Sequence, residues 1–247
     1  MSQFEVKNTT ALVTGSNRGI GKAYVEQLLQ AGAGKIYAAA RDLNNLDALV
    51  ALNPEVIEPV LLDVTNPEHI LSLSDKIPSL DILINNAGVA NGCNSSADNA
   101  LEIARLEMEI NYFGPLQITL AVLPQLKASS QAAIINISSI AGISNFPALG
   151  PYSATKAALH SYTQGLRAEL ASDNIKVVGV YPGPIETRLT EGADIEKEKP
   201  EEVAAATFRA LSAGENEVLP DNFSRQMYAE FLKHPHNLEA LFAPMLD

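Results

Sequence analysis

Hydrophobic residues are concentrated in six short runs along the chain, each five to seven residues long. The runs span 10–14, 35–40, 56–62, 80–85, 132–138 and 175–181. Several of them are apolar at successive positions rather than at alternate ones, which is typical of strands covered on both faces. We therefore interpret all six runs as β-strands.

The segments between these runs have helical patterns. They predict helices at about 19–31, 43–52, 66–76, 99–127, 151–172 and 201–212. Strands that alternate with helices imply a parallel sheet with helices on both faces. No repeat, low-complexity linker or compositional break divides the chain. The pattern predicts an α/β fold, a doubly wound parallel sheet in three α/β/α layers, with 1–247 as a single domain.

Two segments in the C-terminal quarter depart from this regular alternation. The stretch 188–202 is polar and charged, and it follows a proline-containing loop. Long loops in such a position often cover an active site, so we interpret this stretch as a substrate lid. The tail at 220–247 is amphipathic, which suits a segment that closes a pocket or contacts another subunit.

Composition and charge exclude several classes of function. Hydrophobic residues make up 47% of the 247 residues and charged residues 19%, as in ordinary globular proteins. The formal net charge of -12 opposes binding to nucleic acid. No apolar run reaches the length of a membrane helix, and the first residues lack the apolar core of a signal peptide. We expect a cytoplasmic enzyme that does not associate with membranes.

Cysteine and histidine residues do not suggest a metal site. Cys93 is the single cysteine, so no internal disulfide can form, which favours a reducing compartment. His234 and His236 are two positions apart and have no further ligand at a typical spacing. We interpret both histidines as surface residues.

A glycine cluster follows the first predicted strand directly. Gly15, Gly19 and Gly21 have the spacing G-x-x-x-G-x-G and lie where a helix is predicted to begin. Glycines permit a tight turn and let the backbone approach a pyrophosphate, while the amides of the following helix face the anion. The cluster therefore predicts a dinucleotide-binding loop.

The end of the second predicted strand indicates which dinucleotide is bound. In NAD sites an acidic residue at this point usually holds the ribose hydroxyls. Here the strand is followed by Arg41, which together with Arg18 would bind a 2′-phosphate. Asp42 comes next, and we assign it the structural role of a helix cap. The residues predict NADP(H) in preference to NAD(H).

The stretch YSATK at 152–156 has two chemical interpretations. Tyr152 and Lys156 are four residues apart and would share one face of a helix. Ser153 and Lys156 have the S-x-x-K spacing of serine acyl enzymes. Neither a K-T-G motif nor a G-x-S-x-G nucleophile elbow accompanies the serine, so we favour Tyr152 as the reactive residue.

Seven motifs resemble those of one enzyme family in order and spacing. They are TGSNRGIG (14–21), LDV (62–64), NNAG (85–88), MEINYFG (108–114), INISSIAG (135–142), YSATK (152–156) and YPGPIET (181–187). Over roughly 9–190 the chain resembles the short-chain dehydrogenases/reductases. The resemblance implies a Rossmann-type domain with a seven-stranded parallel sheet. It also implies a homodimer or homotetramer that assembles through the long helices.

The resemblance assigns roles to particular residues. It implies a catalytic set of Ser139, Tyr152 and Lys156, supported by Asn111, with Ser138 pointing to the other side of the strand. The expected contacts with the cofactor are made by Gly15, Asn17, Arg18, Gly19, Ile20, Gly21, Arg41, Asp63, Val64, Asn86, Ala87, Gly88, Tyr152, Lys156, Pro182, Gly183, Ile185 and Thr187.

The residue types suit carbonyl reduction, which requires a hydride on carbon and a proton on oxygen. A tyrosine phenol has a pKa of about 10, and we expect the ammonium of Lys156 to lower the pKa of Tyr152. Tyr152 would then act as the general acid in reduction and as the base in oxidation. Ser139 would donate a hydrogen bond to the substrate oxygen.

Asn111 has a sequence context of its own. Pro115 follows four residues later and has no amide hydrogen to donate to the carbonyl of Asn111. We expect a kink that leaves this carbonyl available for a water, and the family resemblance implies a proton relay from Lys156 at this place. The alternative is that Pro115 only bends the helix.

The sequence therefore favours an NADP(H)-dependent carbonyl reductase or secondary-alcohol dehydrogenase. The alternatives are a non-catalytic NADP(H)-binding sensor and an NAD-dependent dehydrogenase of a sugar or steroid-like alcohol. A sugar-nucleotide epimerase is disfavoured because only about 60 residues follow the YPGPIET motif. We expect a small carbonyl or alcohol substrate with an apolar part, enclosed by Ile143, Phe146, Pro147, Leu149 and Leu189.

Overall fold

Seven parallel strands form one sheet in the computed structural model, which describes residues 4–192 and 194–244. Their order across the sheet is β3-β2-β1-β4-β5-β6-β7. The strands are β1 (Thr10–Thr14), β2 (Lys35–Ala40), β3 (Ile57–Leu61), β4 (Ile82–Asn85), β5 (Ala132–Ile137), β6 (Ile175–Val180) and β7 (Glu217–Val218). The order reverses between β1 and β4, and in such sheets ligands bind beside this point.

Helices connect the strands and cover the sheet. They are α1 (Gly19–Gln30), α2 (Asp47–Val50), α3 (Pro67–Leu71), α4 (Leu73–Lys76), α5 (Ala100–Met108), α6 (Gly114–Ala128), α7 (Gly150–Glu169), α8 (Pro200–Ala213), α9 (Asn222–Lys233) and α10 (His236–Phe242). The crossovers between parallel strands place these helices on the two faces of the sheet.

The core consists of two apolar clusters, one on each face of the sheet. Successive residues of β1 belong to different clusters, because side chains alternate along a strand. Val13 packs in the cluster that contains Leu28 of α1, whereas Leu12 packs in the cluster that contains Val122 of α6. All four side chains are fully buried. This arrangement confirms the predicted three-layer, doubly wound α/β fold.

Two short predicted helices, 43–52 and 66–76, are less regular than the pattern suggested. The segment 43–52 begins as a 3-10 turn at Leu43–Leu46, where the Asp42 carboxylate accepts a hydrogen bond from the amide of Asn44. Asp42 is therefore a cap, as predicted. The segment 66–76 is divided between α3 and α4, which break at Ser72.

The predicted helix 99–127 contains a π-helical turn, Glu109–Phe113, between α5 and α6. The amide of Gly114 bonds to the carbonyl of Glu109, five residues earlier. Pro115 follows this turn after Gly114 and cannot donate the regular hydrogen bond. The irregularity expected from Pro115 is therefore a widened turn within a continuous helical segment.

The prediction missed three elements near the C-terminus. β7 has two residues, too few for a periodic signal. α9 and α10 lie in the tail at 220–247, which the pattern described only as amphipathic. Residues 1–3 and 245–247 of the expected domain, and Ala193 of the expected lid, lie outside the described residues.

Candidate active site

A cavity of about 710 Å³ lies at the carboxyl ends of the strands. The loops after β1, β2, β3, β4, β5 and β6 all contribute to its wall, because the ends of parallel strands meet at one edge of a sheet. Every cofactor-contact residue expected from the sequence lines this cavity, and so do Ser139, Tyr152 and Lys156. Asn111 is buried behind the wall.

The glycine turn after β1 has the backbone conformation that a phosphate-binding loop requires. Gly15 and Gly19 adopt positive φ angles of 64° and 52°, where a side chain would be strained. A Cβ on Gly21 would lie 2.2 Å from the carbonyl oxygen of Gly15. The turn therefore closes tightly at the start of α1 and directs helix amides toward the cavity, which suits a pyrophosphate.

Thr14, at the end of β1, fixes the loop that follows β4. Its hydroxyl accepts hydrogen bonds from the amides of Asn86 at 2.9 Å and Ala87 at 3.0 Å. The side-chain amide of Asn86 donates in return to the carbonyls of Thr14 at 2.8 Å and Gly15 at 3.1 Å. These bonds join the two loops at the reversal of strand order. Sequence reasoning identified Asn86 and Ala87 but missed Thr14.

Arg18 and Arg41 are exposed residues that line the cavity. Both guanidinium groups are available to a phosphate group bound there. Asp63, on the same wall, accepts hydrogen bonds from the amide and hydroxyl of Thr65 at 2.9 and 2.8 Å. Burial acts to raise the pKa of Asp63, but these hydrogen bonds and the charge of Arg41 hold it below its ordinary value.

α7 carries Tyr152 and Lys156 one turn apart. The Nζ atom of Lys156 lies 5.6 Å from the centre of the Tyr152 ring and donates a 2.7 Å hydrogen bond to the carbonyl of Ile137. Ser139 lies just beyond the end of β5, where its hydroxyl bonds to the carbonyl of Pro182 at 3.3 Å and interacts with Tyr152. The structure thus brings the predicted serine, tyrosine and lysine together.

Burial dominates the acid–base properties of this group. It raises the pKa of Tyr152 to about 12, an effect that a hydrogen bond with Ser139 opposes and the charge of Glu107 reinforces. It lowers the pKa of Lys156 to about 8, which the charge of Glu107 partly offsets. The expected lowering of the Tyr152 pKa is therefore wrong for this structure, because burial of the phenol raises that pKa.

Asn111 lies in the π-helical turn and fixes a cavity loop through its side chain. Its Oδ1 accepts a hydrogen bond from the amide of Val89, and its Nδ2 donates to the carbonyl of Val89, both at 2.9 Å. Nδ2 also donates to the hydroxyl of Thr155 on α7 at 3.0 Å. Asn111 therefore holds the loop after β4 against the helix that carries Tyr152.

Ser153 has a structural position. Its hydroxyl accepts a hydrogen bond from the amide of Phe146 at 3.0 Å and donates to the carbonyl of Leu149 at 2.9 Å. The residue is buried and ties the loop before α7 to the first turn of that helix. Ser138 similarly donates to the carbonyl of Lys156 at 3.0 Å. These bonds support the choice of Tyr152 over Ser153 as the reactive residue.

Several apolar side chains line the cavity. Of the walls expected from the sequence, Phe146, Leu149 and Leu189 line it, whereas Ile143 and Pro147 do not. The tail contributes residues that sequence reasoning missed, among them Phe223 and Gln226 of α9. α10 supports this wall, since the buried Phe242 ring packs 5.3 Å from the ring of Phe146.

The segment 188–202 leaves the loop after β6 and pairs with that loop again at Glu198. Ile185 and Glu198 form a parallel bridge, and the amide of Glu186 donates to the carbonyl of Glu198 at 2.8 Å. Leu189 and Ile195 both line the cavity and are about half exposed. The described part of this segment therefore forms a flap whose base is bonded to the loop after β6.

Within 4–192 and 194–244, no cluster of three or more histidine, cysteine, aspartate or glutamate residues is placed to bind a metal ion. No helix in the same part of the chain combines the length and the apolar character needed to span a bilayer.

The structure combines a glycine turn at the switch point of a doubly wound sheet with a serine, a tyrosine and a lysine in one cavity, an arrangement that suits a Rossmann-fold oxidoreductase. The model of the short chain dehydrogenase family matches residues 9–198, and the chain belongs to this family. The chain is similar to a probable short-chain dehydrogenase/reductase of Helicobacter pylori, with 32% identity over 94% of this chain and 86% of the relative. An uncharacterised oxidoreductase of Staphylococcus saprophyticus is 33% identical over 84% of this chain and 92% of its own length.

Solved structures support the same classification. A short-chain dehydrogenase from Burkholderia cenocepacia, solved in complex with NADP, superposes with a TM-score of 0.91 at 34% identity and covers 97% of this chain and 99% of its own. A short-chain dehydrogenase from Sphingobium yanoikuyae, solved with NADPH, has a TM-score of 0.79 at 27% identity, covering 94% and 95% of the two chains.

Proposed function

We propose that the protein is an NADP(H)-dependent oxidoreductase that transfers a hydride between nicotinamide and a ketone or aldehyde, or a secondary alcohol in reverse. One observation carries the proposal. Ser139, Tyr152 and Lys156 converge on the same cavity as the glycine turn of Gly15 and Gly19. A nucleotide cleft alone would suit any binding protein, whereas an acid beside it suits proton transfer.

The residues of the cavity suit a dinucleotide along its whole length. The glycine turn and the start of α1 would hold the pyrophosphate, Asp63 and Val64 the adenine, and the loop after β6 the carboxamide, through Ile185 and Thr187. Arg18 and Arg41 would bind a 2′-phosphate, which favours NADP(H). The NADP and NADPH in the related solved structures support this choice.

When bound, the cofactor would supply the hydride, and the chain would orient the substrate and move the proton. A pKa of about 12 keeps the proton on the Tyr152 oxygen at neutral pH, so the phenol is ready to act as a general acid. Ser139 would donate a hydrogen bond to the carbonyl oxygen as negative charge develops there. The Lys156 ammonium would stabilise the phenolate that remains.

The substrate would have an apolar part. Phe146, Leu149 and Phe223 line the same cavity as Tyr152 and give it apolar surface. Leu189 and Ile195 place further apolar surface on the flap at 188–202. Closure of this flap would exclude water from the reaction.

Asn111 would support catalysis in two ways. Its side chain would hold the loop at Val89, and its backbone would hold a proton relay to Lys156. We also propose that the protein is cytoplasmic and that it assembles into a homodimer or a homotetramer.

The test is a panel of apolar ketones, aldehydes and secondary alcohols, assayed with NADPH and NADH in parallel. We expect turnover that favours NADPH and is lost in Tyr152→Phe. Cofactor binding without turnover of any compound would instead support a non-catalytic NADP(H)-binding sensor. A preference for NADH with polyhydroxy or steroid-like alcohols would support the NAD-dependent alternative.

A further inference from the structure

Glu107 is a buried carboxylate that the proposed chemistry does not use. It lies on α5 with only 1% of its surface exposed. Its Oε1 accepts hydrogen bonds from the backbone amide of Asn91 at 2.7 Å and from the side-chain amide of the same residue at 3.1 Å. Among the described residues, no donor reaches its buried Oε2. Such a group is costly unless a charge compensates it.

The compensating charge lies on the neighbouring helix. Lys156 lies on α7, which packs against α5, and is 5% exposed. A Cβ on Gly88 would lie 3.6 Å from its Nζ and 3.2 Å from Oδ1 of Asn111, one helical turn along from Glu107. The positive charge of Lys156 acts on Glu107. Tyr152 is the second titratable group of α7 that interacts with this carboxylate. The other charged residues around it on its own helical segment, Arg105 and Glu109, are exposed to solvent. Among the described residues, the titratable groups coupled to Glu107 are therefore Lys156 and the phenol of Tyr152.

We propose that Glu107 is a positioning residue that sets the protonation of the Lys156–Tyr152 pair by supplying a buried negative counter-charge. This inference rests on the proposed function, in which that pair performs the proton transfer. A negative charge stabilises the ammonium form of Lys156 and the neutral form of Tyr152. Both effects keep the site in the state that donates a proton to a carbonyl oxygen.

The pKa directions agree with this geometry. Burial lowers the pKa of Lys156 to about 8, and the charge of Glu107 prevents a further decrease. Burial raises the pKa of Glu107, while the hydrogen bonds from Asn91 and the charge of Lys156 oppose the increase. Each buried charge thus favours the ionised form of the other.

Glu107 also has a structural role through its hydrogen bonds, and the test must distinguish this role from the effect of its charge. Together with Asn111, four residues later, it holds the loop after β4 at Asn91 and Val89. Glu107→Gln retains an oxygen that can accept both hydrogen bonds from Asn91 but removes the charge. Glu109→Gln makes the same chemical change at an exposed position two residues away and is the matched control.

The direct measurement is the pKa of the Lys156 side chain, followed by NMR on protein with isotopically labelled lysine and assigned with Lys156→Arg. Glu107→Gln is expected to lower this pKa by on the order of 0.5–1 pH unit, and Glu109→Gln to leave it unchanged. An unchanged pKa in folded Glu107→Gln would overturn the proposal. This readout requires no substrate, so it remains decisive if the carbonyl panel shows no turnover.

The second measurement is the pH profile of kcat/KM for NADPH-dependent reduction. The alkaline decrease should move to lower pH in Glu107→Gln by the same amount as in the NMR titration. A uniform loss of activity with an unshifted profile would mean that Glu107 acts only by holding the loop, which contradicts the proposal.

Should Glu107→Gln fail to fold, Asn91→Ala provides an independent test. Loss of the side-chain donor raises the pKa of the Glu107 carboxyl, because that donor stabilises its charged form. In the NMR titration, ionisation of Glu107 should appear as a small second inflection in the chemical shift of the Lys156 side chain. In Asn91→Ala this inflection should occur at higher pH than in the wild type. The absence of this inflection from both the wild type and Asn91→Ala would overturn the proposal.

Discussion

The Asp221 carboxylate accepts a hydrogen bond from the backbone amide of Gly183 at 2.8 Å. The same side chain caps α9 by accepting from the amide of Ser224 at 2.7 Å. A Cβ on Gly183 would lie 2.7 Å from both the Asp221 carboxylate and the Phe223 ring. One buried acid therefore joins the tail to the loop after β6, which we expect to hold the nicotinamide.

Asp221→Ala should impair both stability and catalysis. The free energy of unfolding is expected to fall by about 1–3 kcal/mol, since a helix cap and a buried hydrogen bond are lost together. The KM for cofactor should rise, because the loop at Gly183 loses its support. Denaturant unfolding and steady-state kinetics measure the two effects. Asn66→Ala removes the cap of α3 and should lower stability by about 1 kcal/mol without changing KM.

Tyr152→Phe should abolish most turnover while the fold persists. The substitution removes the phenolic oxygen and retains the ring, so we expect kcat to fall by about 10²–10⁴-fold or more. Cofactor binding, measured by fluorescence titration, should stay close to that of the wild type. Tyr162→Phe on the same helix is the control and should retain activity. A Tyr152→Phe variant with normal kcat would rule out Tyr152 as the acid.

The pH dependence of reduction should show a decrease near the pKa of Lys156. Burial lowers this pKa to about 8, so the ammonium is present below that pH and is lost above it. Tyr152 keeps its proton up to a pKa of about 12 and does not account for the decrease. Lys156→Arg should remove it, since a guanidinium stays charged. A profile of kcat/KM that is flat through pH 8 would contradict the assignment.

Cofactor selectivity should depend on two arginines. The Arg18→Ala/Arg41→Ala double variant is expected to lower the preference for NADPH over NADH by on the order of 10²-fold, because charge-assisted hydrogen bonds to the 2′-phosphate are lost. The ratio of kcat/KM values for the two cofactors measures the change. Arg105→Ala, at an exposed position on α5, is the control. An unaltered ratio in the double variant would exclude this mode of phosphate recognition.

Two glycine substitutions should have opposite effects. Gly21→Ala places a Cβ 2.2 Å from the Gly15 carbonyl. It should lower stability by about 1–3 kcal/mol and weaken cofactor binding by about tenfold or more. Gly165 lies on an exposed face of α7, where the nearest atom to an added Cβ is 3.9 Å away. Gly165→Ala should raise stability by about 0.5–1 kcal/mol. Equal thermal stability of the two variants would contradict the proposed tight turn.

The regular part of the fold could be predicted because its signals are local. Buried parallel strands such as β1 and β2 are continuous apolar runs, and helices on both faces follow from their alternation with strands. β7, with two residues, has no periodicity to detect, and its position depends on pairing with β6. The division of 66–76 into two helices could not be predicted either, because local helix propensity does not indicate where tertiary packing interrupts a helix.

The sequence by itself determined the residue types and spacings from which a site was predicted: a glycine turn after a strand, and a tyrosine four residues before a lysine. Tertiary structure decided how these groups behave. Sequence spacing suggested that Lys156 would lower the pKa of Tyr152, but the pKa of a phenol depends on its burial, which distant segments of the chain create. Glu107 and Asp221 have no recognisable motif, and they gain their positions only because the fold packs α5 against α7 and the start of α9 against the loop after β6.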